Sequence, residues 1–391
     1  MGKRKILGLD LGSNSIGWAL VEWKEVLSIV NGKNQKAVEN PDGLYPIYGS
    51  GGVMSYADEY LCPENTTIVG RKGTINKPIL VREKFWNVDT AFGLVAGDKL
   101  DSFYLNYFCQ LFDFFTLNKS TTLPSLAKRD LKEIKIPLPP LPEQQRIVAK
   151  LDVLFAAIDE AIGLLEENIT HTQALMGSVL DEEFGKLEKL SSKKEKLINI
   201  TIKIGSGSTP RGGQKYYKAS GISLIRSMNV HDCFFKEKNL AFIDDVQADK
   251  LKNVEIQEND VLLNITGASV ARCCIVDSSY LPARVNQHVS IIRTDESILP
   301  EFMLYFLVSP KMKSKLLYDS AGNATREAIT KSMIQSIEVP IVSKEIQQGL
   351  VDKIKESFNL CERVAKIESE NLNHLKSLKS SLLDQAFRGE L

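Results

Sequence analysis

"SLAKRDLKEIKIPLPPLPEQQRIVAKL", residues 125–151, reappears in outline as "AITKSMIQSIEVPIVSKEIQQGLVDKI", residues 328–354. Pro137 meets Pro340, and in the same register Gln144–Gln145 meet Gln347–Gln348, Val148 meets Val351 and Lys150 meets Lys353. That register holds without a gap through "LMGSVLDEEF" (175–184) over "LKSSLLDQAF" (378–387). Upstream, with a small shift, "IVGRKGTI" at Ile68 lies over "NITGASVA" at Asn264, matching Gly70 to Gly267, and Val88 pairs with Val285. Self-similarity over this length means that the chain is two copies of one unit, and any role assigned to a residue must fit that plan.

Each copy ends in a long amphipathic helix. After "PLPPLPEQQ", where prolines break any helix and Pro142 can occupy a first turn, apolar residues recur at Leu151, Leu154, Ile158, Ile162, Leu165 and Ile169. The second copy places Val351, Ile354, Phe358, Cys361, Ile367, Leu372, Leu375, Leu378 and Leu382 on one stripe, with some drift. A helix of about 40 residues spans roughly 60 Å, too long to fold back on one small domain. The two stripes are therefore expected to bury each other as an antiparallel coiled coil.

The globular parts read as short strands and turns, as in "DEYLCPENTTIVGR", "GISLIRSMNV" and "NDVLLNIT". "LNYFCQLFDFF" and "PEFMLYFLVSP" add one buried helix to each copy. The expected fold is α+β: two globular α/β domains separated by two long helices in a pseudo-twofold internal repeat. Its expected divisions are an appended N-terminal strand pair (1–22), a first globular domain (23–141), a central long helix (142–190), a second globular domain (191–339) and a C-terminal long helix (340–391).

Composition and missing motifs narrow the function. Lys plus Arg equals Asp plus Glu at 49 each among 391 residues, so no global basic field marks a nucleic-acid binder, although local patches remain open. Six scattered cysteines without C-x-x-C spacing, no secretory pattern and no apolar run near 20 residues point to a soluble cytoplasmic protein with no membrane role. The chain has neither an N-P-P-[YF] methyltransferase turn nor a G-x-x-x-x-G-K-[ST] phosphate cradle, so no catalytic residue, metal or cofactor is expected.

One stretch argues otherwise. "ILGLDLGSNSIGWALVEW", residues 6–23, resembles the first RuvC motif of CRISPR RNA-guided endonucleases, in which the acid at the position of Asp10 helps hold Mg²⁺. More loosely it resembles the phosphate loop of actin-like sugar kinases. Two-metal cleavage needs several converging carboxylates, and the chain carries no copy of the family's partner segments. The stretch is read as a hairpin outside the repeat and without catalysis, with a metal-dependent nuclease using Asp10 as the alternative function.

"YPIYGSGG", "IVGRKGTI", "IKIPLPPLPEQQRIVAKLDVLFAAID", "GSGSTP" and the terminal "SLLDQAFRGEL" together resemble the specificity subunit of type I restriction-modification systems, over roughly residues 23–391. The resemblance implies a non-catalytic reader of a bipartite site on double-stranded DNA. Its partners would be two DNA adenine methyltransferase (M) subunits and two restriction-translocase (R) subunits. Loops that differ between the copies carry the candidate DNA contacts: Lys33, Asn34, Arg71, Lys72, Asn118 and Lys119 in the first domain, and Arg211, Lys215, Tyr216, Arg226, Asn323, Thr325 and Arg326 in the second. Asn and Arg suit bidentate contacts to adenine and guanine, whereas Lys suits phosphates.

Overall fold

The strand signals resolve into the same two sheets in each copy. The structure, a computed structural model, describes residues 17–209, 213–321 and 328–391, with backbone alone at 214 and 216. In the first copy Leu27–Asn31, Ala91–Ala96, Thr66–Gly70 and Ile79–Val81 lie side by side in that order, all antiparallel. In the second, Thr201–Ser206, Val289–Thr294, Val261–Asn264 and Cys273–Ile275 do the same. Interior strands such as Thr66–Gly70 and Val261–Asn264 are buried at every residue, as short continuous apolar runs suggest. A second sheet follows each: Gly52–Ala57, Tyr45–Gly49 and Trp86–Asn87 in the first copy, and Ala241–Ile243, Ile222–Ile225, Ala283–Val285 and Glu255–Ile256 in the second. Both contain one parallel pair, Tyr45–Gly49 with Trp86–Asn87 and Ile222–Ile225 with Ala283–Val285.

The long helices run Leu141–Leu190 and Lys344–Arg388. Compactness divides the chain into two units: the described residues up to Glu166 with Ser369–Leu391, and Glu167–Glu368. Each unit therefore holds one globular part and a portion of both long helices. In the first, Lys379 pairs with Asp159 at 2.7 Å and Lys376 with Glu166 at 3.5 Å; in the second, Lys353 pairs with Glu183 at 2.8 Å and Thr172 donates to Glu368 at 3.3 Å. The helix segments are antiparallel in both.

The cores explain why the helix ends matter. In the first unit Phe387 packs on Tyr104 and Phe108, with ring centroids 4.7 and 5.4 Å away, so the end of the chain covers helix Ser102–Leu111. In the second, Phe184 takes the equivalent place against Phe302 and Phe306 of helix Pro300–Val308, at 5.4 and 5.5 Å.

Two expectations about the repeat change. Ala19–Glu22 pairs antiparallel with Lys135–Leu138, as Lys194–Lys196 pairs with Glu338–Pro340, and Trp23 N–H donates to Ile134 as Leu197 N–H donates to Ile337. These residues stand inside the repeat, because a charged edge strand, "KEK", is the counterpart of the apolar "ALVE" and hides the likeness. The other half of the expected hairpin, with Asp10, lies outside the described residues. The upstream pairing also shifts: sheet register sets Gly70 against Asn264 and Gly73 against Gly267, both copies turning at a left-handed Asn, Asn65 and Asn259. Backbone bonds match Val88 with Asn286 rather than Val285.

Candidate nucleic-acid interface

In the first unit three loops are stitched by backbone hydrogen bonds. Arg71 N–H donates to Thr90 at 2.7 Å, Leu126 N–H donates to Arg71 at 2.9 Å, and Gly73 N–H donates to Pro124 at 2.9 Å. Gly70 allows the close passage, since a Cβ there would sit 2.0 Å from the Thr74 carbonyl oxygen; Gly73 turns the chain at φ +81°. On the other side of the same 87–91 segment, Gly32 lies against the Val88 carbonyl, Lys33 N–H donates to Asn87 at 3.0 Å and Trp86 Nε1 donates to the Lys33 carbonyl at 3.1 Å. Lys33 and Arg71 thus border one loop.

Their side chains differ in freedom. Lys33, Asn34, Arg71 and Lys72 are exposed. Arg71 donates to the Asp89 carbonyl at 3.3 Å and holds its guanidinium 5.9 Å from the Phe92 ring, whereas Asn34 Oδ1 accepts from Lys36 N–H at 2.9 Å. Asn118 is used by its own loop, donating to the Ser120 carbonyl and accepting from the N–H groups of Ser120 and Ser125. Lys119 reaches Asp130 at 2.6 Å, and that hydrogen bond holds the Asp130 carboxyl below its usual range.

The second unit repeats the stitching. Ile265 N–H donates to His288 at 2.9 Å, Ile329 N–H to Ile265 at 2.8 Å, and Gly267 turns at φ +76°. Arg71 and Lys72 are here Ile265 and Thr266, and Thr90 is His288. Lys215 is exposed on the short turn Gly213–Tyr216. Arg226 is half-buried, donates to the Asn239 carbonyl and lies 5.2 Å from the Tyr217 ring. Arg211, Asn323, Thr325 and Arg326 lie outside the described residues, as does the side chain of Tyr216.

Sequence reading missed Arg272 and His288, which line one cleft with Ser227, Met228 and Thr266–Ser269. Strand pairing sets Lys77 and Thr90 opposite Arg272 and His288, and because neither pair shares a residue type no repeated signal marked them in the sequence. Among the described residues no cluster of three or more His, Cys, Asp or Glu is placed to hold a metal ion, and no helix is long and apolar enough to cross a membrane. Burial pushes the Cys62, Cys233 and Cys274 thiols up to about 12, far from a nucleophilic range.

The sequence profile of the "Type I restriction modification DNA specificity domain" matches residues 15–167 and 193–373. The EcoBI specificity subunit of Escherichia coli is 27% identical over 294 residues, 70% of this chain and 61% of that one, so less than two thirds of its length is spanned. The MjaVIII specificity subunit of Methanocaldococcus jannaschii is 24% identical over 396 residues, 94% of this chain and 92% of that one. Two solved structures share the fold at 19% identity. One, from work on assembly and conformational transition of the type I R-M system, superposes with a TM-score of 0.75 over 96% of this chain and 98% of its own. The HsdS subunit of Thermoanaerobacter tengcongensis gives 0.56 over 96% and 97%.

Proposed function

The chain belongs to the family of type I restriction-modification DNA specificity subunits, and from that premise we propose that it reads a bipartite site on double-stranded DNA, one half with each globular domain. One observation carries the reading: the same stitched loop cluster occurs twice, with different side chains at equivalent places, Arg71–Lys72 against Ile265–Thr266 and Thr90 against His288. A common scaffold with exchanged loop residues is what two readers of different half-sites require. The reader domains correspond to residues 23–141 and 191–339, the first extended by its entry strand Ala19–Glu22, and the long helices dock two adenine methyltransferase subunits, with two restriction-translocase subunits joining the full complex. The chain supplies no chemistry, and it works in the cytoplasm where its DNA is.

Exposed Lys33, Arg71, Lys72 and Lys215 supply phosphate or base contacts in this reading. Because opposite charges balance over the whole chain, affinity rests on these local cations. The nuclease alternative at Asp10 draws no support from the family. Co-expression with the cognate methyltransferase, followed by mapping of methylated adenines, is expected to give one two-part motif with a fixed gap. Methylation without a motif, or Mg²⁺-dependent cutting by the isolated chain that Asp10→Ala abolishes, would overturn the reading.

A further inference from the structure

The described arginines of the second globular domain separate by what answers their charge. Arg284 is buried, pairs with Glu255 at 3.2 Å and donates to the carbonyls of Ala248 and Ala283 at 3.2 and 3.0 Å. Arg293 grips Asp260 through two bonds of 2.7 Å. Arg226 has the Asn239 carbonyl and the Tyr217 ring. Arg272 is half-buried, and among the described residues its guanidinium has neither a hydrogen-bond nor an ion-pair partner. A charge partly withdrawn from water without an acceptor costs stability, so a site that keeps one is arranged for a ligand that supplies the acceptor.

The surroundings fix the walls of the cleft that Arg272 lines. Arg272 lines a cleft of about 430 Å³ with Ser227, Met228, Thr266, Ser269 and His288. Fully buried Asn264 braces both walls, donating to the Ser227 carbonyl at 2.9 Å and to Ser269 Oγ at 3.2 Å, while its N–H donates to the Arg272 carbonyl at 2.8 Å. Gln287 Nε2 donates to His288 Nε2 at 3.1 Å, so the other ring nitrogen carries the proton and donates to Thr266 Oγ1. Thr209 in turn donates to Gln287 Oε1, closing a chain that fixes the orientation of the imidazole. Exposed lysines suit phosphates; a half-buried planar fork of N–H donors suits the paired acceptors of one base edge.

We propose that this cleft is where the second domain reads a guanine, Arg272 donating to its O6 and N7 from the major groove. The assignment rests on the DNA-reading function proposed above and adds the residue that discriminates. Equivalent Lys77 in the first domain is exposed, so the two domains differ here in the donor they offer.

The test uses the complex. The chain is co-expressed with its methyltransferase, and methylated sites are mapped for the parent, for Arg272→Ala and for Arg272→Met, the last keeping most of the side-chain volume. The parent is expected to show a G·C requirement at one position of one half-site. Both variants are expected to lower that preference about ten- to a hundredfold, with the other half-site unchanged. An unchanged motif, or a uniform fall in methylation with the motif intact, would overturn the guanine assignment while leaving the DNA-reading function standing. If the parent gives no motif, both fall.

Discussion

Gln144 and Gln347 are fully buried, and each uses its whole amide. Gln144 accepts from Asp101 N–H at 2.8 Å and donates to the carbonyls of Lys99 and Pro139 at 3.0 and 2.8 Å; Gln347 accepts from Leu299 N–H at 2.8 Å and donates to Ser297 and Val342 at 2.9 and 3.0 Å. Each fixes the start of a long helix to the loop that launches the buried helix of the same unit. Gln→Met at either position keeps the volume but leaves three backbone groups without partners, for an expected cost of about 2–4 kcal/mol in urea unfolding. A loss below about 0.5 kcal/mol would mean that water replaces the amide. Lys119 offers a second test. Because its hydrogen bond lowers the Asp130 pKa, that pair stabilises the fold above the unfolded carboxylate pKa, and the contribution is lost as pH falls through the lower folded value. In Lys119→Met the Asp130 carboxyl is expected to titrate higher by NMR; an unmoved titration would show that the pair is not maintained in solution. The glutamines were legible as a repeated pair in the sequence, and their clamp was not, since two of the three partners of each are main-chain groups 43 to 50 residues away. Arg272 was hidden for the opposite reason. Its freedom is visible only once Glu255 and Asp260 are seen to be taken by Arg284 and Arg293.

At the level of elements, periodicity revealed the long helices because their stripes repeat over many turns, whereas the short strands lost their register. Two Gly-containing strings were matched by glycine identity, but Gly70 is held by close passage of the Thr74 carbonyl and Gly73 by a left-handed turn, so only Gly73 shares its reason with Gly267. A bulge between Thr201 and Lys203 adds the residue that separates the copies at their first strand. The aromatic contacts carry a prediction that linear domain division would not make. Phe387, near the end of the chain, closes the core of the first unit on Tyr104 and Phe108. Removing residues 381–391 should therefore expose helix Ser102–Leu111 to amide exchange while helix Pro300–Val308 keeps its protection, and Phe387→Ala should cost about 3–5 kcal/mol. Loss of protection in both helices, or in Pro300–Val308 alone, would show that the end of the chain does not serve the first unit.

The repeat also sets where the whole molecule can be recombined. In the second unit the globular domain enters and leaves through neighbouring strands: Lys194 lies opposite Pro340, Ile341 N–H donates to the Lys193 carbonyl at 3.0 Å, and Ser191 Oγ donates to the Ile341 carbonyl at 3.0 Å. A segment whose ends are hydrogen-bonded neighbours can be exchanged without moving the helices on which they rest, which is the geometry that tolerates domain insertion. Ala19–Glu22 and Lys135–Leu138 form the matching ribbon in the first unit, which is why residues that read as a foreign appendage belong to the module. Replacing residues 194–340 with the same segment of another family member is thus expected to yield a folded chain that still supports methylation, with one half of the mapped motif replaced and the other retained. Cutting instead at 205 and 330, inside the sheet and the stitched loops, should lose the fold, because Thr201–Ser206 would be parted from the residues that brace it against Val289–Thr294. If the ribbon-bounded exchange altered both halves of the motif, base choice would have to arise from coupling between the domains. The duplicated loop cluster would then be a shared scaffold, and the differences between Arg71–Lys72 and Ile265–Thr266 would not be the source of two specificities.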